Sequence, residues 1–108
     1  MAHYGSHEEV TRLLQLYGER LRTARMRRRW SQANLAERMN VERRTVSRLE
    51  KGDPGVTIGM LLRALWVLGL WSTAERLADP AEDKAGVFLE KQREPARAGR
   101  KIKGEFDF

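Results

Sequence analysis

Residues 31–52 read SQANLAERMNVERRTVSRLEKG, and this stretch decides the fold. It predicts a short helix that begins after Ser31, because a serine hydroxyl can accept a hydrogen bond from the unpaired amides of a first turn. The apolar residues of this helix recur with helical spacing at Leu35, Ala36 and Met39. Asn40 follows them, and asparagine tolerates left-handed backbone better than most residues. We therefore expect this helix to end there.

A second helix of the same stretch is predicted from about Arg43 to Lys51. Val46 and Leu49 are three residues apart and would face inward, while arginine, serine and threonine side chains face outward. Gly52 then provides a C-terminal stop. Two short helices joined by a tight turn, with a polar and basic second helix, are typical of a helix-turn-helix. That motif inserts its second helix into the ~12 Å wide major groove of DNA.

Three further helices are predicted around this pair. The first runs from about Glu9 to Arg29. Its apolar residues with helical spacing are Val10, Leu13, Leu14, Tyr17, Leu21 and Ala24. A fourth helix follows the capping residue Thr57 and runs from Ile58 to about Leu68; it is apolar almost all the way round, so one face would meet the core and the other would need a second chain. A capping box at residues 72–75 predicts a short fifth helix through Leu77.

Three parts of the chain are therefore predicted: a flexible N-terminus at residues 1–8, a helix-turn-helix domain at 9–80, and a C-terminal extension at 81–108. Within the extension, residues 86–89 form an apolar patch that could be helix or strand. Residues 90–104 are polar, basic and interrupted by proline and glycine, so we expect little intrinsic structure there. The predicted fold class is all-α, a compact five-helix domain with a basic, poorly structured tail.

Positive charge is concentrated in the middle of the chain. The 108 residues include 21 lysines and arginines against 15 acids, which gives a formal net charge of +6 and a pI near 10.3. Eleven basic residues and three acids lie from Arg20 to Lys51, so this segment has a formal charge of +8 and the rest of the chain has −2. Such a region is typical of a surface that binds nucleic acid, although a solvated helical surface has a similar composition. RNA is a minor alternative, because a helix-turn-helix suits the B-form major groove.

Several function classes are excluded by composition. The chain has no cysteine, which excludes disulfides, thiolate zinc sites and cysteine nucleophiles. Its longest apolar run, residues 64–71, is well short of the ~20 residues of a membrane helix, and no secretion signal is evident. His3 and His7 are the only histidines and lie outside any predicted core. We expect a cytoplasmic, nucleoid-associated protein that is not an enzyme and uses no metal, cofactor or membrane.

The central stretch resembles the XRE/Cro-C1 family of helix-turn-helix DNA-binding proteins. The resemblance rests on Gln-Ala-Asn-Leu-Ala at residues 32–36 and Arg-Thr-Val-Ser-Arg-Leu-Glu-Lys-Gly at residues 44–52, and it covers about residues 14–70. It implies a lambda repressor-like domain that binds operator DNA. Two residues depart from the pattern: Asn40 occupies the position of the usual glycine, and Glu42 the position where serine or threonine commonly caps the recognition helix. The cap of that helix would therefore be weaker.

The same resemblance assigns contacts to double-stranded DNA. Arg43, Arg44 and Ser47 would read bases, and arginine pairs well with guanine N7 and O6, so guanine-containing half-sites are expected. Gln32 would touch the DNA backbone and support the base contacts. The other residues expected at the DNA, mainly on phosphates, are Ser31, Thr45, Arg48 and Lys51. Independently of the resemblance, Arg28 lies just ahead of the helix-turn-helix and is expected at a phosphate, with solvated surface charge as the alternative. Arg25 and Glu50 match a pair that forms a partly buried ion bridge in the family, which would be structural.

A narrower resemblance, to HipB-type antitoxins, comes from residues 51–59 and 62–70. It implies a dimer that represses its own operon and inhibits a HipA-like kinase toxin. The residues expected in the dimer interface are Trp66, Val67 and Trp71, and those expected to anchor the partner are Phe88, Phe106 and Phe108. The alternative is a free-standing XRE-type regulator with no toxin partner.

Overall fold

The structure, a computed structural model, describes residues 3–93, and these residues contain helices and no strand. The helices are α1 (His3–Arg27), α2 (Gln32–Met39), α3 (Arg43–Lys51), α4 (Ile58–Val67), α5 (Trp71–Ala74) and α6 (Lys84–Arg93), with a 3-10 turn at Pro80–Glu82. The described chain divides into two compact units, which meet between Ala74 and Glu75 in the sequence. The all-α prediction is confirmed. No helix in residues 3–93 is long and apolar enough to cross a membrane.

Local side-chain chemistry sets the ends of α2. Ser31 and Asn34 form a reciprocal capping box, in which the Asn34 amide donates to Ser31 Oγ and the Ser31 amide donates to Asn34 Oδ1, each at 3.0 Å. Asn40 ends the helix in left-handed backbone, with φ of 61°. Asparagine tolerates this conformation better than most residues other than glycine, as the sequence predicts.

The caps of α3 are unequal. Glu42 is its N-cap and makes no side-chain hydrogen bond to the helix, so the first turn lacks the partner that serine or threonine would provide. Gly52 ends α3 with φ of 77°. A Cβ at Gly52 would lie 2.8 Å from backbone atoms of Gln15, so a side chain there would collide with α1. Its left-handed backbone would also be strained for any residue with a side chain.

The core of the first unit lies between α1, α2, α3 and α4. Val46 and Leu49 point from α3 into it, and the residues buried with them are Leu21, Ala24, Leu35, Ala36, Met39, Ala64 and Leu68. Gly18 allows α1 to cross the end of α3, because a Cβ there would overlap the Glu50 carbonyl and lie 2.8 Å from the Leu49 carbonyl oxygen. These contacts hold the exposed side of α3 in a fixed position.

Helix α4 begins at a Thr57 cap, whose hydroxyl accepts the Met60 amide at 3.1 Å. Its inner side supplies Ala64, which is completely buried. Ile58 and Trp66 remain 67% and 66% exposed. This exposure fits the expectation that one face of α4 is left uncovered, as far as residues 3–93 show.

Three element boundaries differ from the sequence predictions. Helix α1 begins at His3 rather than Glu9, so residues 3–8 are helical. Helix α5 is four residues long and ends at Ala74 instead of reaching Leu77. Residues 84–93 form α6, which resolves the open assignment of the apolar patch at 86–89 as helix and extends regular structure into the start of the segment expected to have little.

The second unit is built from short-range caps over its described residues. Asp79 Oδ1 accepts the Ala81 amide at 2.9 Å and opens the 3-10 turn. Asp83 Oδ1 accepts the Gly86 amide at 2.9 Å at the start of α6. The side chains of Val87, Phe88 and Leu89 are exposed, at 43%, 60% and 56%.

Candidate nucleic-acid interface

The outward side of α3 presents a cationic face. Because Val46 and Leu49 are buried, the opposite side of the helix faces away from the core. The residues that we define as the cationic face are Arg43, Arg44, Ser47, Arg48 and Lys51. Its four basic residues are exposed and Ser47 is partly buried. Thr45 lies beside it and is also partly buried.

A buried ion pair anchors the end of α3 to α1. Arg25 Nε lies 2.6 Å from Glu50 Oε2, and Arg25 Nη2 lies 3.0 Å from Glu50 Oε1, with the two side chains only 10% and 4% exposed. Arg25 Nη1 also donates to the Trp30 carbonyl at 2.8 Å. The hydrogen bond with Glu50 raises the pKa of Arg25 and outweighs the opposing effect of burial. The structure thus brings together the two residues that the resemblance to the XRE/Cro-C1 family pairs.

Gln32 extends this ion pair to the surface. Its Nε2 donates to Glu50 Oε1 at 3.0 Å, and its Oε1 accepts from Arg43 Nη1 at 3.0 Å. A carboxylate can only accept and a guanidinium can only donate, so the two partners fix which way the Gln32 amide points. A continuous chain of hydrogen bonds therefore runs from buried Arg25 to exposed Arg43.

Arg48 is held by the turn that follows α3. Its Nε lies 2.7 Å from Asp53 Oδ2, and Asp53 Oδ1 accepts the Gly55 amide at 2.7 Å. The hydrogen bond from Arg48 lowers the pKa of Asp53, and the Gly55 amide adds to the effect. Asp53 is therefore ionised at neutral pH.

Sequence reasoning did not assign any role to Asp53. The available signal was an acid five residues after Arg48, in a Gly-Asp-Pro-Gly turn. The contact between Arg38 and Trp30 was not predicted from the sequence either. The Arg38 guanidinium carbon lies 4.0 Å from the centre of the Trp30 ring, over its face.

The structure gives Arg28 a different environment from that of the cationic face. Its Nη1 donates to the Ala24 carbonyl and its Nη2 to the Leu68 carbonyl, both at 2.7 Å. Arg28 thus caps carbonyls of α1 and of the end of α4 and ties these helices together. Ser31 Oγ is likewise used by the α2 cap, although Ser31 is exposed. On the cationic face, the side chains of Arg44 and Lys51 form no hydrogen bond or ion pair with any residue of the described part of the chain.

The residues expected in protein interfaces lie in several environments. Trp66 and Trp71 are edge to face, with ring centroids 5.4 Å apart. Val67 instead packs partly buried against the core. Phe88 is exposed on α6. Phe106 and Phe108 lie outside the described residues.

A protein-family model described as "Helix-turn-helix domain" matches residues 16–78, which is more than half of the chain. The matched segment contains α2, the Asn40 turn and α3, together with the buried ion pair and the cationic face. Searches of curated proteins and of solved structures gave no match.

Proposed function

Because the chain belongs to the helix-turn-helix domain family of the XRE-like kind, and is thereby a DNA-binding regulator, we propose that it is a sequence-specific transcriptional repressor. Its ligand is double-stranded operator DNA, and the cationic face of α3 enters the major groove. The observation that carries this proposal is the chain of hydrogen bonds that fixes Arg43 from behind through Gln32.

An arginine fixed in this way suits base recognition. Its remaining donors can pair with the N7 and O6 acceptors of guanine, and one good bidentate pair contributes about 1–3 kcal/mol of discrimination. Arg44 and Ser47 occupy neighbouring positions of the same face and extend the readout. In this proposal Gln32 and Ser31, at the start of α2, contact phosphates and so set the register of the helix in the groove.

The proposed repressor acts as a dimer. One domain offers only a few base-reading side chains, and two-fold dimers gain affinity by reading two half-sites about 34 Å apart. Trp66 supports this step, because it is 66% exposed on α4 and contacts Trp71 edge to face. Aromatic side chains are enriched in protein interfaces.

The test is selection of duplexes from a random library with the full chain, followed by affinity measurements at several salt concentrations. We expect enrichment of a two-fold symmetric, guanine-containing site over an unrelated duplex of equal length. Specific sites of such proteins are typically about 10³-fold or more tighter than non-specific DNA. Equal affinity for all duplexes would reject sequence-specific repression.

A second candidate function is inhibition of a protein partner through α6. Val87, Phe88 and Leu89 form an apolar, exposed segment there, and large apolar side chains are effective anchors in protein interfaces. The resemblance to HipB-type antitoxins makes a HipA-like kinase toxin the proposed partner. A free-standing regulator of the same family, with no toxin partner, is the alternative.

Co-expression with the product of the adjacent gene separates these two functions. We expect a complex that survives size exclusion with the unsubstituted chain and is lost with Phe88→Ser. Leu77→Ser is the matched control, because Leu77 is also exposed, at 69%, and lies outside α6. A neighbour that does not bind, or a complex insensitive to Phe88→Ser, would favour the free-standing regulator.

A further inference from the structure

Arg48 differs from the other cations of the α3 face because a carboxylate holds it. Asp53 occupies its Nε at 2.7 Å, and the Gly55 amide fixes the same carboxylate from the other side at 2.7 Å. The two terminal nitrogens of Arg48 make no hydrogen bond with any residue in the described part of the chain. They form the edge of the guanidinium that is available to a ligand.

A phosphate is a poor ligand for that edge. A phosphate bound to the terminal nitrogens of Arg48 would stand a few ångströms from the Asp53 carboxylate, and like charges at that distance repel each other. The major-groove edge of guanine is neutral and offers two acceptors, N7 and O6, to an arginine fork. The carboxylate therefore favours a guanine over a phosphate as the partner of Arg48.

We propose that Asp53 is a positioning residue for DNA recognition and that it makes Arg48 a base-reading residue. This inference rests on the proposed function, and it replaces the phosphate contact that the family resemblance implies for Arg48. Arg48 follows Arg43 by five residues, about 7.5 Å along the helix axis. That distance corresponds to about two base pairs at 3.4 Å each, so Arg48 reads a guanine other than the one that Arg43 reads.

Gly55 completes the arrangement. A Cβ at this position would lie 3.0 Å from Arg48 Nη2 and 3.2 Å from Asp53 Oδ1. Both distances are short for a methyl group, so Gly55→Ala pushes on the Arg48–Asp53 pair without changing any charge. It provides a second variant, independent of the carboxylate.

The experiment measures full-chain affinity for the selected duplex, for each of its single-base variants and for an unrelated duplex. Arg48→Ala should lose about tenfold on the selected duplex and lose its discrimination at one guanine. Asp53→Asn retains an oxygen for the Gly55 amide but removes the charge. We expect it to lose discrimination at the same guanine, with unchanged or higher affinity for the unrelated duplex. Gly55→Ala should lose discrimination at that guanine without any gain on the unrelated duplex.

Asp79→Asn is the matched control. It removes the same charge from a carboxylate that also accepts a nearby backbone amide, but in the second unit of the chain. We expect it to leave the base preferences unchanged. Thermal unfolding of each variant shows whether it is folded.

Two results overturn the inference and leave the proposed function intact. One is an equal loss for Arg48→Ala on all duplexes, with a salt slope lowered by about one unit, which assigns Arg48 to a phosphate. The other is full discrimination at that guanine in Asp53→Asn and Gly55→Ala. An unsubstituted chain that prefers no duplex rejects the proposed function and the inference together.

Discussion

At the residue scale, the side-chain amide of Gln32 connects the buried Arg25–Glu50 ion pair to the exposed Arg43. Glu50 accepts from Arg25 on two bonds and from Gln32 on a third. Removing its carboxylate leaves the Arg25 guanidinium largely buried without its partner, and it leaves Gln32 without the acceptor that orients it. One substitution should therefore affect both stability and DNA recognition.

Glu50→Ala tests the stability part. Breaking a buried pair by removing one partner costs several kcal/mol, and because Arg25 retains the Trp30 carbonyl we expect a loss of about 3 kcal/mol in the free energy of unfolding. Chemical denaturation measures it. Glu42→Ala is the control, since Glu42 is exposed and makes no capping hydrogen bond, and its effect should stay within about 0.5 kcal/mol. Equal effects of the two substitutions would show that the ion pair adds no stability.

Gln32 and Arg43 form the recognition part, and a double-mutant cycle tests it. If Gln32 acts by orienting Arg43, the loss of affinity from Gln32→Ala should shrink once Arg43 is already alanine. We expect a coupling free energy of about 1 kcal/mol on the selected duplex. Additive losses would mean that the two residues contact the DNA independently.

At the element scale, the helix caps could be predicted from the sequence, but the close approach of α1 to α3 could not. Ser31, Asn40 and Gly52 are recognisable because each meets a local requirement of the backbone. The extension of α1 to His3 was missed because those residues carry no apolar period, and an α-helix can continue without one. The role of Gly18 depends on α3, more than thirty residues away, and no local sequence pattern indicates such a contact.

Gly18→Ala tests that role. Alanine gains up to about 1 kcal/mol of helix propensity, but the new methyl group meets backbone atoms of Leu49 and Glu50 that cannot rotate away. We expect a net destabilisation of about 2 kcal/mol in denaturant unfolding. The control is Gly59→Ala in α4, where the nearest atom to the added Cβ is the Thr57 hydroxyl at 3.9 Å. It should be neutral or slightly stabilising, and a stabilising Gly18→Ala would contradict the close crossing.

At the scale of the whole molecule, the sequence was sufficient for the charge distribution and insufficient for the pairings within it. The positive segment and the outward arginines follow from composition and helical period. The contact between Gln32 and Glu50 spans 18 residues, and that of Arg28 with Leu68 spans 40. Contacts of this kind depend on the crossing of helices, so the bonds of Arg28 to backbone carbonyls could not be predicted from the sequence. Its contact with a phosphate stays a prediction.

The uncovered side of α4 makes a prediction about assembly. Trp66→Ala should shift the chain from dimer to monomer in sedimentation, because it removes the largest exposed side chain of that helix. Val10→Ala is the control, since Val10 is also exposed, at 54%, and lies near the start of α1 rather than on α4. It should leave the dimer intact. An unsubstituted chain that is monomeric at high micromolar concentration without DNA would contradict the proposed interface.

The most direct measurement for the DNA-reading face of α3 is the affinity of Arg43→Ala and Arg44→Ala for the selected duplex and for an unrelated one. Each substitution should cost about 1–3 kcal/mol on the selected duplex and relax the preference at one base pair, with a much smaller loss on the unrelated duplex. Arg12→Ala, which removes the same charge from an exposed pair on α1, should leave the base preference unchanged. Equal losses on both duplexes for Arg43→Ala and Arg44→Ala would contradict base reading by α3.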